Sequence, residues 1–469
     1  MISVRHYLRQ WQDNPAREIL AGAVATFALI PEVIAFSFTA GIDPAVGLYA
    51  SFVISIVIAV FGGRPAMISA AAGSVAMVVA PLVREHGVEY LFAAGLLAGL
   101  FQILFGFARL ATLMRYVSIS VRTGFVNALA VLIFAAQMPH ILNAGTTGLA
   151  VMAAGLAIIW LAPRVTTKIP APLICVVILS LVCSGLGLGV PRVADLGTLP
   201  DGLPAFHLPA VPLDLSLLNI IFVPALAIAM VGILESLMTA GVVDDQTGTP
   251  SNKNAEARGL GLANVAASLF GGIAGCGMIG QTVSNVKYGG RGRLSTMAAG
   301  GLLLLLMVAA GDVIGQVPVA ALVAIMVMVS VDTLDWGSLR RLRRTPALSN
   351  LVMLATVGVT IVSHNLSLGV LVGVVMSGMF FAARVAALQK VRREGDLYIV
   401  TGQIFFASAD AFIEAFDPSD HDGPVTLDLT GAKLWDITAL AAVEKVRERF
   451  QRHNLAVTVK GDLRINAAP

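Results

Sequence analysis

SAAAGSVAMVVAPL (Ser69–Leu82) and GMIGQTVSNVKY (Gly277–Tyr288) decide how this chain is read. Each opens on small residues: Ala71-Ala72-Gly73-Ser74 in one, Gly277-Met278-Ile279-Gly280-Gln281 in the other. At about 1.5 Å per helical residue, neither segment covers a hydrocarbon core of roughly 30 Å. Spans this short survive only with their ends buried against protein or in a wet cavity. One such segment in each half of a polytopic chain points to a substrate site built from two half-helices. Their N-terminal dipoles and free N–H groups can face one anion near the bilayer midplane.

Composition sets the frame for that reading. Of 469 residues, 57% are hydrophobic and only 13% charged, with a mean hydropathy of +0.84. A soluble domain carries about 25% charged residues, so the chain is an integral membrane protein. Charge concentrates near the C-terminus, which predicts a transmembrane domain over 1–388 and a small cytosolic domain over 389–469. Met1 to Arg17 reads as a cytosolic lead-in and not a cleavable signal peptide. Cys175, Cys183 and Cys276 lie in apolar or Gly-rich sequence and suggest neither a disulfide framework nor a metal site. No Gly-rich phosphate loop, nucleophile–base pair or cofactor motif appears, so an enzyme, an ATPase and a nucleic-acid binder are all disfavoured.

Apolar runs broken by Gly, Pro and charge give fourteen segments, near 18–40, 45–62, 69–82, 90–108, 114–137, 146–162, 171–190, 218–240, 258–272, 279–288, 294–311, 316–334, 348–364 and 367–388. The positive-inside rule tests this division. Loops after even segments carry Arg64; Arg109 and Arg115; Arg164 and Lys168; Lys253 and Arg258; Lys287, Arg291 and Arg293; and Arg340, Arg341, Arg343 and Arg344. Loops after odd segments carry only Arg84 and Arg192. The asymmetry places both termini in the cytoplasm, and losing one segment would scramble it. An odd number of segments per half forces an inverted repeat, with segments three and ten as symmetry partners and the joint near 191–217.

PAVGLYASF (Pro44–Phe52) and the long stretch from LESLMTAGVVDDQTGTPSNKN (Leu234–Asn254) through to Ser295 resemble the sulfate permease family of anion transporters, which includes prestin and pendrin. VTLDLTGAKLWDITALAAVEKVRERFQRHNLAVTVKGD resembles a STAS domain, the family's cytosolic appendage. The resemblance implies an all-α membrane fold with core segments 1–4 and 8–11, gate segments 5–7 and 12–14, and a small α/β tail. It also implies an elevator motion, a dimer, and substrates such as sulfate, bicarbonate, chloride or dicarboxylates. Many relatives have Gly-Pro where this chain has Ala71-Ala72, and several have Arg where it has Gln281. The STAS-like region stops soon after its third convincing strand, which suggests that its last helix and strand are missing or altered.

Gly73, Ser74, Gly280 and Gln281 are the expected substrate contacts, since small residues permit close backbone approach to an anion. Helix packing is the competing use of small residues. Glu235 lies in segment eight, where a carboxylate costs about 2.5–3.5 kcal/mol on insertion scales and is usually functional. It can carry a proton with the anion or hold a sodium ion with Thr239, one turn away; relatives tie an acidic residue here to cation coupling. Glu32 follows Pro31, a pair that suggests a local break and a polar pocket beside Ala35 and Phe36. Asp244, Asp245 and Asn254 read as helix caps, and the run from Arg340 to Arg344 as an orientation signal at the lipid surface. Thr438 matches a position where some STAS domains carry a phosphorylated hydroxyl, although an N-cap through Asp436 or Thr438 explains the local sequence as well.

These residues predict a secondary transporter of a small anion in the cell membrane, with a proton or sodium ion as coupling partner and no cofactor. A dicarboxylate, bicarbonate or sulfate symporter leads. An exchanger, an anion-gated channel or motor, and a nucleobase permease are the alternatives. Without an Arg in the site, helix dipoles and a cotransported cation must balance the anion's charge.

Overall fold

The computed structural model describes residues 4–465 other than 13, 113–116, 167–168, 196, 198–201, 213 and 364. Arg115 and Lys168 of the positive-loop pattern, and parts of the 191–217 joint, lie outside the described residues. The chain divides after Val372 into two compact units.

The first unit opens with α1 (Val4–Gln12), α2 (Pro15–Ala40) and α3 (Pro44–Phe61). A short strand β1 (Ser69–Ala71) leads into α4 (Gly73–His86), followed by α5 (Val88–Phe107), α6 (Ile119–Leu142), α7 (Gly145–Val165) and α8 (Ala171–Gly185). Then come α9 (Leu215–Thr247), α10 (Lys253–Leu269), a second short strand β2 (Gly275–Gly277), α11 (Ile279–Lys287) and α12 (Arg293–Ala309). A short α13 (Gly311–Gly315), α14 (Val319–Thr333), α15 (Trp336–Arg341), α16 (Ala347–Ser363) and α17 (Leu366–Ala386) follow, the division falling inside α17. Among the described residues, eight helical stretches are long and apolar enough to cross a bilayer, with α14 and α15 taken together as one of them. All fourteen expected segments appear, the third as β1–α4 and the tenth as β2–α11.

Several boundaries moved for identifiable reasons. Segment five was expected from 114, but α6 starts at Ile119 because Ser118 caps it, its side chain accepting from Val121 N at 3.4 Å. Segment eight was expected to end at 240, yet α9 runs on to Thr247 and stops at Gly248, whose φ is 65°. Asp244 and Asp245 thus lie inside α9, not at a cap. Asp244 pairs with Arg64 at 3.2 Å and accepts from Ser251 Oγ at 2.8 Å, so it does fix the loop. Asn252, not Asn254, caps α10 by accepting from Ala255 N. Pro31 does not break α2, which is one helix from Pro15 to Ala40; a single Pro removes only one helical N–H.

β1 and β2 pair antiparallel, with Ser69 opposite Gly277, Ala70 opposite Cys276 and Ala71 opposite Gly275. Extended backbone at membrane depth must find partners within the protein, and the outer edges of this ribbon are served by side chains. On one edge, Ser51 Oγ accepts from Ala71 N at 3.2 Å and Ser55 Oγ donates to Ser69 O at 2.9 Å. On the other, Asn264 both accepts from Gly275 N (2.8 Å) and donates to its carbonyl (3.1 Å), while Ser236 Oγ accepts from Gly277 N at 2.8 Å. Gly275 is obligatory here: a Cβ would lie 2.0 Å from Ala70 O.

Two groups of helices emerge within this unit. α5 packs on α10 and α9, α3 on α10 and α12, and α2 on α12, α3 and α11. α6 packs on α14 and α16, and α7 on α8 and α14, around a buried apolar cluster that includes Met152, Ile159, Leu179 and Ile325.

The second unit is a four-stranded sheet ordered β3 (Lys390–Glu394), β4 (Leu397–Ile404), β5 (Val425–Leu434), β6 (Val457–Lys460). β3–β4 is antiparallel; β4–β5 and β5–β6 are parallel. α18 (Ala409–Glu414) and α19 (Ile437–Gln451) supply Phe412, Val446 and Phe450 to a core with Tyr398, Val400 and Leu427. Asp436 caps α19, accepting from Ala439 N at 2.8 Å, and Thr438 is exposed in its first turn.

Candidate substrate site between the two short helices

α4 and α11 begin immediately after the paired strands, so the ribbon fixes both N-termini side by side. Neither has a side-chain cap, which leaves first-turn N–H groups without intrahelical partners. A cavity of about 420 Å³ opens at these ends. Gly73 and Ser74 enter it from α4, Ile279, Gly280 and Gln281 from α11, Glu32 and Phe36 from α2, and Glu235 and Met238 from α9. The opposite wall is Phe125, Val126, Leu129 and Ile133 of α6 with Val329, Asp332 and Thr333 of α14. The cavity therefore lies between the two helix groups.

Seven of the nine residues singled out from sequence share this cavity. Glu235 is held from two sides: Ser74 Oγ donates to its Oε2 in a close hydrogen bond, and Cys276 Sγ lies 3.1 Å from the same oxygen. Gln281 is buried and lines the cavity together with Glu32. A Cβ on Gly73 would meet the Phe36 ring at 2.7 Å, whereas Gly280 faces open space. Thr239 and Ala35 do not line the cavity. The Thr239 hydroxyl donates to Gly277 O and Glu235 O, both at 2.9 Å, so it braces β2 from behind. Ala35 is buried in the packing of α2, with Thr39 Oγ1 donating to its carbonyl.

The charge pattern is unusual for an anion site. Three carboxyl groups line the cavity (Glu32, Glu235 and Asp332), and among the described residues no Lys, Arg or His does. Sequence reasoning missed Asp332, although an acidic residue near the end of an apolar segment carries the same signal as Glu235. It also missed Cys276 and the α6 wall, for which no local signal exists.

The sequence profile of the sulfate permease family matches residues 16–153 and 143–356, and that of the STAS domain matches 387–461. This chain belongs to the sulfate permease family. As a member of a family of transporters it is not an enzyme, and it is a multi-pass membrane protein. The protein YbaR of Bacillus subtilis is 46% identical over 457 residues, spanning 97% of this chain and 96% of its own. Among solved structures, the transmembrane domain of a cyanobacterial bicarbonate transporter, BicA, is 27% identical with a TM-score of 0.69, covering 78% of this chain and 98% of its own. The murine anion transporter Slc26a9 in its inward-facing state shares the fold at a TM-score of 0.83 and 16% identity, over 98% of this chain and 87% of its own.

Proposed function

We propose that this family member is a secondary active transporter that moves a small oxyanion or carboxylate together with a proton. The observation that carries this reading is a cavity with two uncapped helix N-termini, three carboxyl groups and, among the described residues, no cationic side chain. Dipoles and N–H groups favour an anion there, but ionised Glu32, Glu235 and Asp332 oppose it. A proton on Glu235 removes one of those charges, and its contacts tie the carboxyl to the first turn of α4 through Ser74 and to β2 through Cys276. Anion and proton then favour each other's binding, which is the energetic basis of symport.

Sulfate, bicarbonate and dicarboxylates are the candidate cargoes. The family's name and the relative named as a bicarbonate transporter support the first two. The helix group of α2–α5 and α9–α12 is the natural moving core, carrying both half-helices. α6–α8 with α14, α16 and α17 form the gate, giving an elevator motion within a seven-plus-seven inverted repeat. Both termini are assigned to the cytoplasm, in the cell membrane and in a homodimer.

Reconstitution in liposomes tests the reading, with radiolabelled sulfate, bicarbonate and succinate run in parallel, with and without an inward proton gradient. Accumulation of one anion above equilibrium only with the gradient, abolished by Glu235→Gln, is the expected result. Gradient-independent flux identifies an exchanger or a channel-like protein, and accumulation driven by sodium identifies sodium coupling.

A further inference from the structure

A second cavity of the membrane unit, about 740 Å³, lies among the loops between α3 and β1, α9 and α10, and α11 and α12, and is walled on one side by α1. The positive-inside rule assigns this loop face to the cytoplasm. Arg9, Arg64, Arg291 and Arg293 line it, and among the described residues no acidic side chain does.

The nearby carboxylates are turned to other work. Glu256 Oε2 accepts from Gly63 N (2.7 Å) and Arg64 N (3.0 Å). Glu18 accepts from the backbone N–H of Arg291, Gly292 and Ser295, and Asp244 meets Arg64 Nη1 at 3.2 Å. Arg293 is buried with its donors spent on Gln10 and on the Ala59 and Gly62 carbonyls, so it contributes charge and little else. Arg9 is exposed. Arg291 is exposed as well and commits Nη1 to the Val286 and Gly290 carbonyls.

Arg64 supplies the second observation. It is 6% exposed. Its terminal nitrogens reach Thr247 Oγ1 and the Thr249 carbonyl and hydroxyl, but Nε is buried with no partner. An unpaired buried donor on a guanidinium is costly and uncommon, and a small turn of the Arg64 side chain that brings this edge to an oxyanion in the cavity would satisfy it.

We propose that this arginine-lined cavity is a phosphate-binding site, separate from the transport cavity, that takes a phosphomonoester or phosphodiester group. Arg64 and Arg291 grip the phosphate oxygens from the loops and Arg9 closes over them from α1, so occupancy ties α1 to three loops of the membrane unit. Guanidinium forks, with two parallel N–H donors, suit a partner that offers a pair of oxygens, such as a phosphate, better than a halide. A free phosphate compound and a lipid headgroup present the same chemistry.

The test uses the full-length protein in nanodiscs of phosphatidylcholine, titrated with inorganic phosphate while the thermal unfolding midpoint is followed. A second set of nanodiscs contains phosphatidic acid and no free phosphate. Phosphate should raise the midpoint of the wild type. Arg9→Gln and Arg291→Gln should each raise the half-saturating phosphate concentration about tenfold, the worth of one charge-assisted contact. Glu235→Gln, in the other cavity, should leave that concentration unchanged. Stabilisation only by phosphatidic acid, lost in the two arginine variants, assigns the site to a lipid headgroup. Equal responses of wild type and both arginine variants, a response lost only in Glu235→Gln, or no response to either ligand overturns the proposal. Arg9→Gln alone keeps the test decisive if Arg291→Gln fails to fold, because Arg9 lies on the exposed face of α1.

Discussion

Two cavities of the membrane unit are opposites in charge. Among the described residues, the one at the ends of the two short helices has Glu32, Glu235 and Asp332 and no cationic side chain, and the one among the loops has four arginines and no acidic lining. Both are suited to anions, by different physics. Guanidinium groups hold a permanent charge and release their partner slowly. Helix N-termini offer partial charge, and a carboxyl that gains or loses a proton lets the net field change during a cycle. A site that must give up its cargo on the far side of a membrane gains from the second arrangement; a fixed regulatory or structural site gains from the first.

The largest effect is expected from breaking the frame that carries the proposed transport cavity. In Gly275→Ala the new methyl group would sit 2.0 Å from Ala70 O, so β1 and β2 must part. Overpacking of this kind costs about 1–3 kcal/mol, and here it also displaces both helix N-termini. Uptake should fall to background while phosphate binding at the arginine cavity persists; normal uptake would show that the ribbon does not set the site.

Neutralising the proposed coupling carboxyl comes next. Glu235→Gln should reduce gradient-driven uptake roughly tenfold to a hundredfold, on the scale of a lost hydrogen bond to a charged group. The residual flux should no longer respond to a proton gradient. Liposome uptake at several external pH values reads both. Gln281→Arg sharpens the contrast by importing a fixed cation into the carboxyl-lined cavity. Half-saturating anion concentration should fall about tenfold and maximal turnover should fall with it, since ground-state binding that is not released slows the cycle. A rise in both would contradict the argument for dipoles over arginine.

The smallest effect lies away from both cavities. Burial is not the cause here: the Thr430 hydroxyl and N–H hold the Asp428 carboxyl below its usual range. A depressed carboxyl contributes stability above its unfolded pKa and loses it as pH falls through the folded value. Asp428→Asn should therefore speed hydrogen exchange of β5 and β6 amides in the full chain slightly at neutral pH. The difference from wild type should close below about pH 4. A difference that persists in acid would assign the effect to something other than this charge.

Much of this contrast was legible in the residues. Alternating arginines in the loops give the number of segments, and Gly73-Ser74 and Gly280-Gln281 mark the starts of both short helices in the sequence alone. Glu235 stood out because a carboxylate in an apolar run is costly. The pairing itself was hidden: Ala70 and Cys276 are far apart in the chain, and Ser51, Ser55, Ser236 and Asn264 reveal their purpose only as partners of strand edges. Thr239 stands one helical turn from Glu235 but turns toward Gly277, a direction spacing alone does not give. The α6 wall is apolar and reads like any other span.

The most direct test of the central claim is proton movement itself. Proteoliposomes loaded with a pH-sensitive dye should acidify inside when external sulfate or succinate is added at symmetrical pH under potassium–valinomycin voltage clamp. Glu235→Gln vesicles should not. Anion uptake by the wild type without internal acidification, or equal acidification in Glu235→Gln, would contradict proton-coupled transport through this carboxyl.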